Sequence, residues 1–224
     1  MKWKLYKLNL SNIKNVIFDL DGTLVDSSAG IASATNYALS KENEPNRTID
    51  EIKPFIGFPL EEMFAAFSQK PADRLWQHFR ERAREIMVDS TEPLDGAERL
   101  IHKLKKMKIH LAIGSTKITP HIKGILAKLG WDNYIDFIAG ADSVKNVKPA
   151  PDIFLDLLQR MNGSPDDSIV IGDTINDILA AQSASLRTIA VKSPYGHHAE
   201  LIQCKPDMIV DNLNEIINIF ERAV

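Results

Sequence analysis

Outside residues 27–92, the apolar positions of the chain alternate between two patterns. Short runs rich in isoleucine and valine, mostly flanked by glycine, aspartate, serine or proline, predict buried β-strands. These runs lie at Val16–Phe18, Ile109–Ile113, Ile135–Ala139, Ile169–Ile171, Thr188–Val191 and Met208–Val210. Between them, apolar residues recur at helical spacing, as at Leu100, Ile101, Leu104 and Met107. Strands alternating with helices predict an α/β protein with a mostly parallel sheet and helices on both faces.

The segment 27–92 has helical spacing of apolar residues without clear strands between the helices. One predicted helix presents Leu60, Met63, Phe64 and Phe67 on one face, and the next presents Leu75, Trp76, Phe79, Ala83 and Ile86. We therefore predict an all-helical domain at 27–92, inserted after the first strand. The α/β core would then comprise residues 1–26 and 93–224.

Composition and charge narrow the classes of partner. The chain has 224 residues, of which 44% are hydrophobic and 25% charged, an ordinary globular composition. Its formal net charge of -3 gives no reason to expect nucleic acid or an anionic membrane as a partner. The single cysteine, Cys204, cannot form an internal disulfide, and no apolar run approaches the roughly 20 residues of a membrane span. These features predict a cytoplasmic protein.

Acidic residues follow two of the predicted strands. The stretch VIFDLDGTLVDS places Asp19 and Asp21 at the end of the first strand, and SIVIGDTINDIL places Asp173 and Asp177 at the end of a later one. Open parallel sheets bind ligands beyond the carboxyl ends of their strands. Carboxylates this close together need a cation or a shared proton. Several carboxylates at neighbouring strand ends predict a site for Mg²⁺.

Two other strand ends carry groups that complement an anion. LAIGSTK places Ser115 and Thr116 directly after a strand, and VKPAPDIF places Lys148 just before a helix. A hydroxyl, an ammonium group and a metal ion together can neutralise a phosphoryl group. A carboxylate can then attack phosphorus and form an aspartyl-phosphate. The expected ligand is a small phosphorylated metabolite.

In this order, the motifs resemble those of the haloacid dehalogenase superfamily of phosphohydrolases. The matching elements are DLDGTLVDS, the serine after a strand, the lysine of KPAPD, and GDTIND, and together they span most of the chain. The resemblance implies a Rossmann-like core with a small α-helical cap inserted between the first two motifs. IGFPLEEMF in the insert and the segment near the C-terminus are similar to phosphoglycolate-phosphatase-type proteins.

The resemblance also implies roles for the acidic residues. Asp19 would be the nucleophile and a metal ligand. Asp21 would protonate the leaving alkoxide and then deprotonate the hydrolytic water, while its backbone carbonyl binds Mg²⁺. Asp173 would be a metal ligand. Asp177 would not bind the metal directly but would contact the residues that do.

Substrate contacts are implied for a second set of residues. Ser115 would hydrogen-bond to the phosphoryl oxygens, and Lys148 would balance the charge of the nucleophile and the phosphate. Thr116 departs from the pattern, because close relatives often have asparagine there, which puts the substrate contact of that position in doubt. Gly57 and Phe58, in the loop of the insert, are candidates for contact with the leaving group.

The sequence is also compatible with other functions. A phosphosugar mutase is disfavoured because Ile31 stands where β-phosphoglucomutase-like relatives have a histidine, and a dehalogenase is disfavoured by Asp21. A pyrophosphatase of the same superfamily is a further alternative. A non-enzymatic phospho-accepting regulator is disfavoured because receivers are about half this length and lack a helical insert. The substrate and the oligomeric state are left open by the sequence.

Overall fold

The computed structural model describes residues 10–196 and 198–223. In these residues the chain forms a six-stranded sheet with helices on both faces, which confirms the predicted α/β class. The strands are β1 Asn15–Phe18, β2 Val25–Asp26, β3 Glu92–Pro93, β4 His110–Gly114, β5 Phe137–Ala139, β6 Ser168–Gly172, β7 Arg187–Val191 and β8 Met208–Val210. The helices are α1 Ser28–Lys41, α2 Ile49–Ile52, α3 Leu60–Phe67, α4 Ala72–Ile86, α5 Ala97–Lys106, α6 Thr119–Lys128, α7 Asp152–Arg160, α8 Ile175–Ser183, α9 His198–Gln203 and α10 Leu213–Ala223.

The strand order of the described sheet is β5-β4-β1-β6-β7-β8, and each neighbouring pair runs parallel. After β1, the chain adds β4 and then β5 on one side of it, and later adds β6, β7 and β8 on the other side. The strand order therefore reverses beside β1, which is where open α/β sheets bind ligands. Phe18 lies opposite Ile113 of β4 and Ile171 of β6, so the residues after these three strands meet at one edge.

Burial on both faces holds β1 in place. Val16 and Phe18 pack into a cluster that includes Leu104 of α5. Ile17 packs into a second cluster, with Leu157 of α7, on the opposite face. Successive side chains of a strand point to opposite faces, and all three apolar residues of β1 are fully buried. Because β1 is packed on both faces, the position of the residues that directly follow it is fixed as well.

Helices α1 to α4 surround a separate apolar cluster that includes Met63, Phe64, Phe79 and Ala83. Helices α1 and α4 pack against each other along much of their length. The boundaries of the predicted insert stay a prediction, and residues 1–9 of the predicted core range lie outside the described residues.

A short antiparallel pair of strands joins the insert to the core. Val25 of β2 lies opposite Pro93 of β3, and Asp26 lies opposite Glu92. The sequence does not predict this pair because each strand has only two residues and β3 is exposed, so no apolar run marks it. The pair brings the two connections of the insert side by side at the edge of the sheet.

The described helices are short. The longest, α4, has 15 residues and carries charged side chains along its exposed face. A membrane-spanning helix needs about 20 predominantly apolar residues. None of the helices in residues 10–196 and 198–223 is long and apolar enough to cross a membrane.

Candidate active site

The predicted acidic residues meet at the edge where the strand order reverses. Asp19 directly follows β1, and its backbone N–H donates to the carbonyl oxygen of Ile171 at 2.9 Å. This continuation of the β1–β6 ladder places Asp19 beside Asp173, which directly follows β6. Asp177 lies in the first turn of α8. The parallel register therefore brings together carboxylates that are far apart in sequence.

A buried lysine joins two of these carboxylates. Lys148 Nζ lies 2.7 Å from Asp19 Oδ1 and 2.6 Å from Asp177 Oδ1, and its side chain is only 1% exposed. Burial opposes the charge on Lys148, but the two carboxylates outweigh it and raise the pKa of the ammonium group. Burial and the neighbouring Asp177 raise the pKa of Asp19 to about 7, although Lys148 opposes this shift. Two acids thus share one cation, and all three side chains are buried.

The first turn of α8 holds Asp177 in place. Asp177 Oδ2 accepts hydrogen bonds from the backbone N–H of Thr174 at 3.0 Å and from its hydroxyl at 2.7 Å. The Thr174 hydroxyl in turn accepts from the backbone N–H of Asp177, which completes a reciprocal cap. Because its other oxygen binds Lys148, both carboxylate oxygens of Asp177 already have partners. Asp177 is therefore suited to contacting the metal ligands rather than the metal itself. This role stays a prediction.

The residues present fit a divalent cation. Asp19, Asp173 and Asp177 each offer an oxygen, and these oxygens lie within 4.8 Å of one another. Asp173 Oδ1 accepts from the Thr23 hydroxyl at 2.7 Å, whereas Asp173 Oδ2 is buried and has no hydrogen-bond partner among the described residues. Burial and the charges of Asp19 and Asp177 raise the pKa of Asp173 well above its usual value. A hard cation that takes oxygen ligands would satisfy the unpaired oxygen and relieve the repulsion.

The tight turn after β1 depends on a glycine. Gly22 has a φ of +88°, which glycine adopts without strain. A Cβ atom at this position would lie 2.2 Å from Asp173 Oδ2 and 2.7 Å from the Ser193 hydroxyl. Any larger side chain would therefore displace the carboxylate that carries the unpaired oxygen.

Asp21 occupies a different environment from Asp19. Its Oδ2 lies 3.2 Å from Lys117 Nζ, and its Oδ1 accepts a short hydrogen bond from the Ser27 hydroxyl. Both charged side chains of the Asp21–Lys117 pair are less than 10% exposed. We did not predict Lys117 or Ser27 from the sequence. A cation two residues after Ser115, at the same strand end, was the available signal for Lys117.

Ser115 is placed to donate a hydrogen bond. Its hydroxyl accepts from the backbone N–H of Lys117 at 3.1 Å, and the residue is 1% exposed. The hydroxyl hydrogen itself has no acceptor within the described part of the chain. Ser115 can therefore donate to an anionic oxygen beyond the end of β4, while the predicted contact with a phosphoryl group stays a prediction.

A cavity of about 370 Å³ lies between the helical insert and this edge of the sheet. Gly57 and Phe58 of the insert line it together with Asp21, Thr116 and Lys117 of the core. The structure thus brings the predicted loop residues to the same space as the catalytic candidates. Gly57 has a φ of +90°, and a Cβ atom there would lie 2.7 Å from the Thr174 methyl group. The loop therefore closely approaches the residue that caps α8.

Tyr195 links the insert connection to the core and was not predicted from the sequence. Its hydroxyl accepts from the backbone N–H of Ser27 at 2.9 Å and donates to Asp26 Oδ1 at 3.0 Å. Burial, with the charges of Asp21 and Asp26 nearby, raises the pKa of the Tyr195 hydroxyl. The tyrosine therefore stays protonated and positions the segment that carries Ser27.

Comparisons with known proteins agree on one family. A family model described as haloacid dehalogenase-like hydrolase matches residues 16–191. Pyrophosphatase PpaX of Bacillus mycoides is 26% identical over 210 residues, covering 94% of this chain and 98% of the relative. A haloacid dehalogenase-like family hydrolase from Streptococcus pneumoniae superposes with a TM-score of 0.86 and 29% identity, covering 94% and 99% of the two chains. A predicted phosphoglycolate phosphatase from Haemophilus somnus superposes with a TM-score of 0.83 and 26% identity, covering 93% and 98%.

Replacing Lys148 with methionine should strongly destabilise the protein. The substitution leaves Asp19 and Asp177 buried without their cation, a change that typically costs about 3–5 kcal/mol. The matched control is Lys103→Met, which breaks the exposed pair with Glu221 and should cost at most about 1 kcal/mol. Urea unfolding of the two variants and the wild type measures both free energies. Equal losses in the two variants would contradict the importance of the buried pair.

Proposed function

The chain belongs to the haloacid dehalogenase-like hydrolases, as its motifs predict, and on that basis we propose a function. The protein is a Mg²⁺-dependent phosphatase that hydrolyses a small phosphate monoester through an aspartyl-phosphate on Asp19. The observation that carries the proposal is the buried group of Asp19, Lys148 and Asp177 beside the unpaired oxygen of Asp173. This arrangement offers a carboxylate for attack and positive charge to receive a phosphoryl group.

In the first step, one carboxylate oxygen of Asp19 forms a bond to phosphorus as the bond to the alcohol oxygen breaks. Lys148 binds Asp19 Oδ1 and thereby orients the carboxylate, whose other oxygen then attacks. Lys148 and the Ser115 hydroxyl stabilise the negative charge on the phosphoryl oxygens in the transition state. Charges and dipoles held in fixed positions in a buried site are effective because they need no reorganisation during the reaction.

Asp21 moves the protons in both steps. It donates a proton to the departing alcohol oxygen, and in the second step it takes a proton from the water that attacks the phosphoryl group on Asp19. Cleavage of the acyl-phosphate bond then releases phosphate and restores the Asp19 carboxylate. The contacts from Ser27 and Lys117 hold the Asp21 side chain in one position, which general acid–base catalysis requires.

The metal site would use residues already in place. Asp19, Asp173 and the backbone carbonyl of Asp21 would hold Mg²⁺, with Asp177 supporting Lys148 and the start of α8. When bound, Mg²⁺ would supply positive charge that stabilises the negative charge of the reacting phosphoryl group. The unpaired Asp173 Oδ2 and the raised pKa values of Asp19 and Asp173 support this assignment.

A pyrophosphatase is the second candidate. Relatives named pyrophosphatase PpaX cover nearly the whole chain at 26–27% identity. Lys117 is a cation on the side of the leaving group, and a second phosphate could bind it only in competition with Asp21. Rates of phosphate release from pyrophosphate and phosphoglycolate, measured side by side with Mg²⁺, distinguish this candidate from the phosphoglycolate-type monoester expected from the sequence.

Two asparagine substitutions test the proposed mechanism. Asp19→Asn removes the attacking anion and should abolish phosphate release from phenyl phosphate. Asp21→Asn removes the proton donor and should slow turnover by about 10²–10⁴-fold. Asp132→Asn, on an exposed loop, is the matched control and should keep wild-type turnover. The covalent mechanism is wrong if Asp19→Asn retains substantial activity in a folded protein.

Mg²⁺ should bind without substrate and raise the melting temperature of the wild type. Asp173→Asn should abolish most of that rise, whereas Asp132→Asn should preserve it. Because Asp19 has a pKa of about 7 without metal, it must release a proton to bind Mg²⁺. The apparent affinity should therefore fall as the pH drops below 7. A Mg²⁺-induced rise that is equal in wild type and Asp173→Asn would place the metal elsewhere.

A further inference from the structure

The cavity beside Asp21 points to the chemical class of the substrate. We infer that the alcohol part of the phosphate monoester is apolar, a hydrocarbon chain or an aromatic ring, and that it binds in this cavity. The inference rests on the proposed phosphatase function and narrows it. It also ranks phosphoglycolate and pyrophosphate as poor substrates, because their leaving groups are small and anionic.

The insert supplies an apolar wall to the cavity. The side chains on this wall include Phe55, Phe58, Leu60, Met63, Trp76 and Phe79. Four of these six residues are only partly buried, namely Phe55, Phe58, Leu60 and Trp76. An apolar ligand that covers this partly exposed aromatic and aliphatic surface removes it from water, which contributes favourably to the free energy of binding. Ligand sites are commonly lined in this way, with few polar groups.

The cavity lies on the leaving-group side of the proposed reaction centre. Its described lining includes Asp21 but neither Asp19 nor Asp173. In the proposed mechanism Asp21 protonates the alcohol oxygen, so the alcohol extends from Asp21 into the cavity. A volume of about 370 Å³ equals the space of about twelve water molecules at roughly 30 Å³ each. A two-carbon acid such as the alcohol part of phosphoglycolate would fill a small part of it.

The cationic groups around the cavity already have partners. Lys117 pairs with Asp21, and the guanidinium carbon of Arg80 lies 3.6 Å from the centre of the Trp76 ring. Burial and the nearby Lys117 lower the pKa of His121, so its ring is uncharged near neutral pH.

The lining also contains acidic residues. Glu61 and Asp142 add two carboxylates to that of Asp21, and Asp142 accepts hydrogen bonds from the backbone and side chain of Thr119. A second anionic group on the substrate would have to compete with Asp21 for Lys117 and would approach these acids. The balance of charges therefore favours an uncharged alcohol.

A series of n-alkyl phosphates tests the inference with the wild-type protein and Mg²⁺. Ethyl, butyl and hexyl phosphate have leaving alcohols of nearly equal acidity, so differences in kcat/KM report binding of the chain. Burial of each methylene should raise kcat/KM by about fourfold, and hexyl phosphate has four methylenes more than ethyl phosphate. Hexyl phosphate should therefore exceed ethyl phosphate by roughly tenfold if about two of them are buried and by up to about 250-fold if all four are. It should also exceed phosphoglycolate and pyrophosphate.

A flat series, or a higher kcat/KM for phosphoglycolate or pyrophosphate than for hexyl phosphate, would overturn the inference and leave the phosphatase function standing. If neither these esters nor phenyl phosphate releases phosphate in the presence of Mg²⁺, both the inference and the proposed function fail. The wild-type series decides between these results without any variant.

A substitution that fills the cavity locates the effect. Ala83 of α4 lines the cavity and is buried, so Ala83→Leu should lower the ratio of kcat/KM for hexyl and ethyl phosphate at least severalfold. Ala65→Leu, on the exposed face of α3, is the matched control and should keep the wild-type ratio. If Ala83→Leu does not fold, Phe58→Ala, which removes apolar surface from the wall, should also lower the ratio. A wild-type ratio in a folded cavity variant would place the chain outside this cavity.

Discussion

The contact of Lys148 with Asp19 and Asp177 determines how the other groups of the site are arranged. A lysine buried to this extent is stable as a cation only because two carboxylates contact it within hydrogen-bond distance. In return, the lysine allows two acids to lie close together away from water. Asp173, the third acid, is left with one oxygen that has no partner among the described residues. When all three buried carboxylates are ionised, the single lysine leaves an excess of negative charge, and a divalent cation would compensate it.

This arrangement is possible because of the register of the parallel sheet. β1 lies between β4 and β6, so the ends of three strands deliver Asp19, Ser115 and Asp173 to one edge. The helical insert, α1 to α4, begins shortly after β1 and ends before α5. Its residues therefore lie beside the same edge of the sheet and line the cavity there. The same topology thus provides the charged floor of the site and the apolar wall above it. In the proposed function, the charged residues at the strand ends bind the phosphoryl group, and the apolar side chains of the insert contact the alcohol.

Local sequence patterns were sufficient to predict the strands and the acids at their ends. Apolar runs that terminate in aspartate, as before Asp19 and Asp173, mark both the strand and its chemistry. Lys148 could be singled out by its place in a family motif. Lys117 had a signal in its place two residues after Ser115, but its pairing with Asp21 and the contacts of Tyr195 with Ser27 and Asp26 join segments far apart in sequence and depend on tertiary packing. The strand pair β2–β3 was missed for a similar reason, since two residues give no periodic pattern. The catalytic roles of these residues stay predictions.

The proposed mechanism requires that Asp19 carries the phosphoryl group during turnover. The most direct measurement is to quench the reaction of the protein with phenyl phosphate and Mg²⁺, reduce it with borohydride and sequence the peptides by mass spectrometry. Borohydride converts a phosphoaspartate into homoserine. We expect homoserine at position 19, dependent on substrate and most abundant in the Asp21→Asn variant, whose intermediate is hydrolysed slowly. Homoserine at another aspartate, or none at position 19 while phosphate is released, would contradict the proposed mechanism.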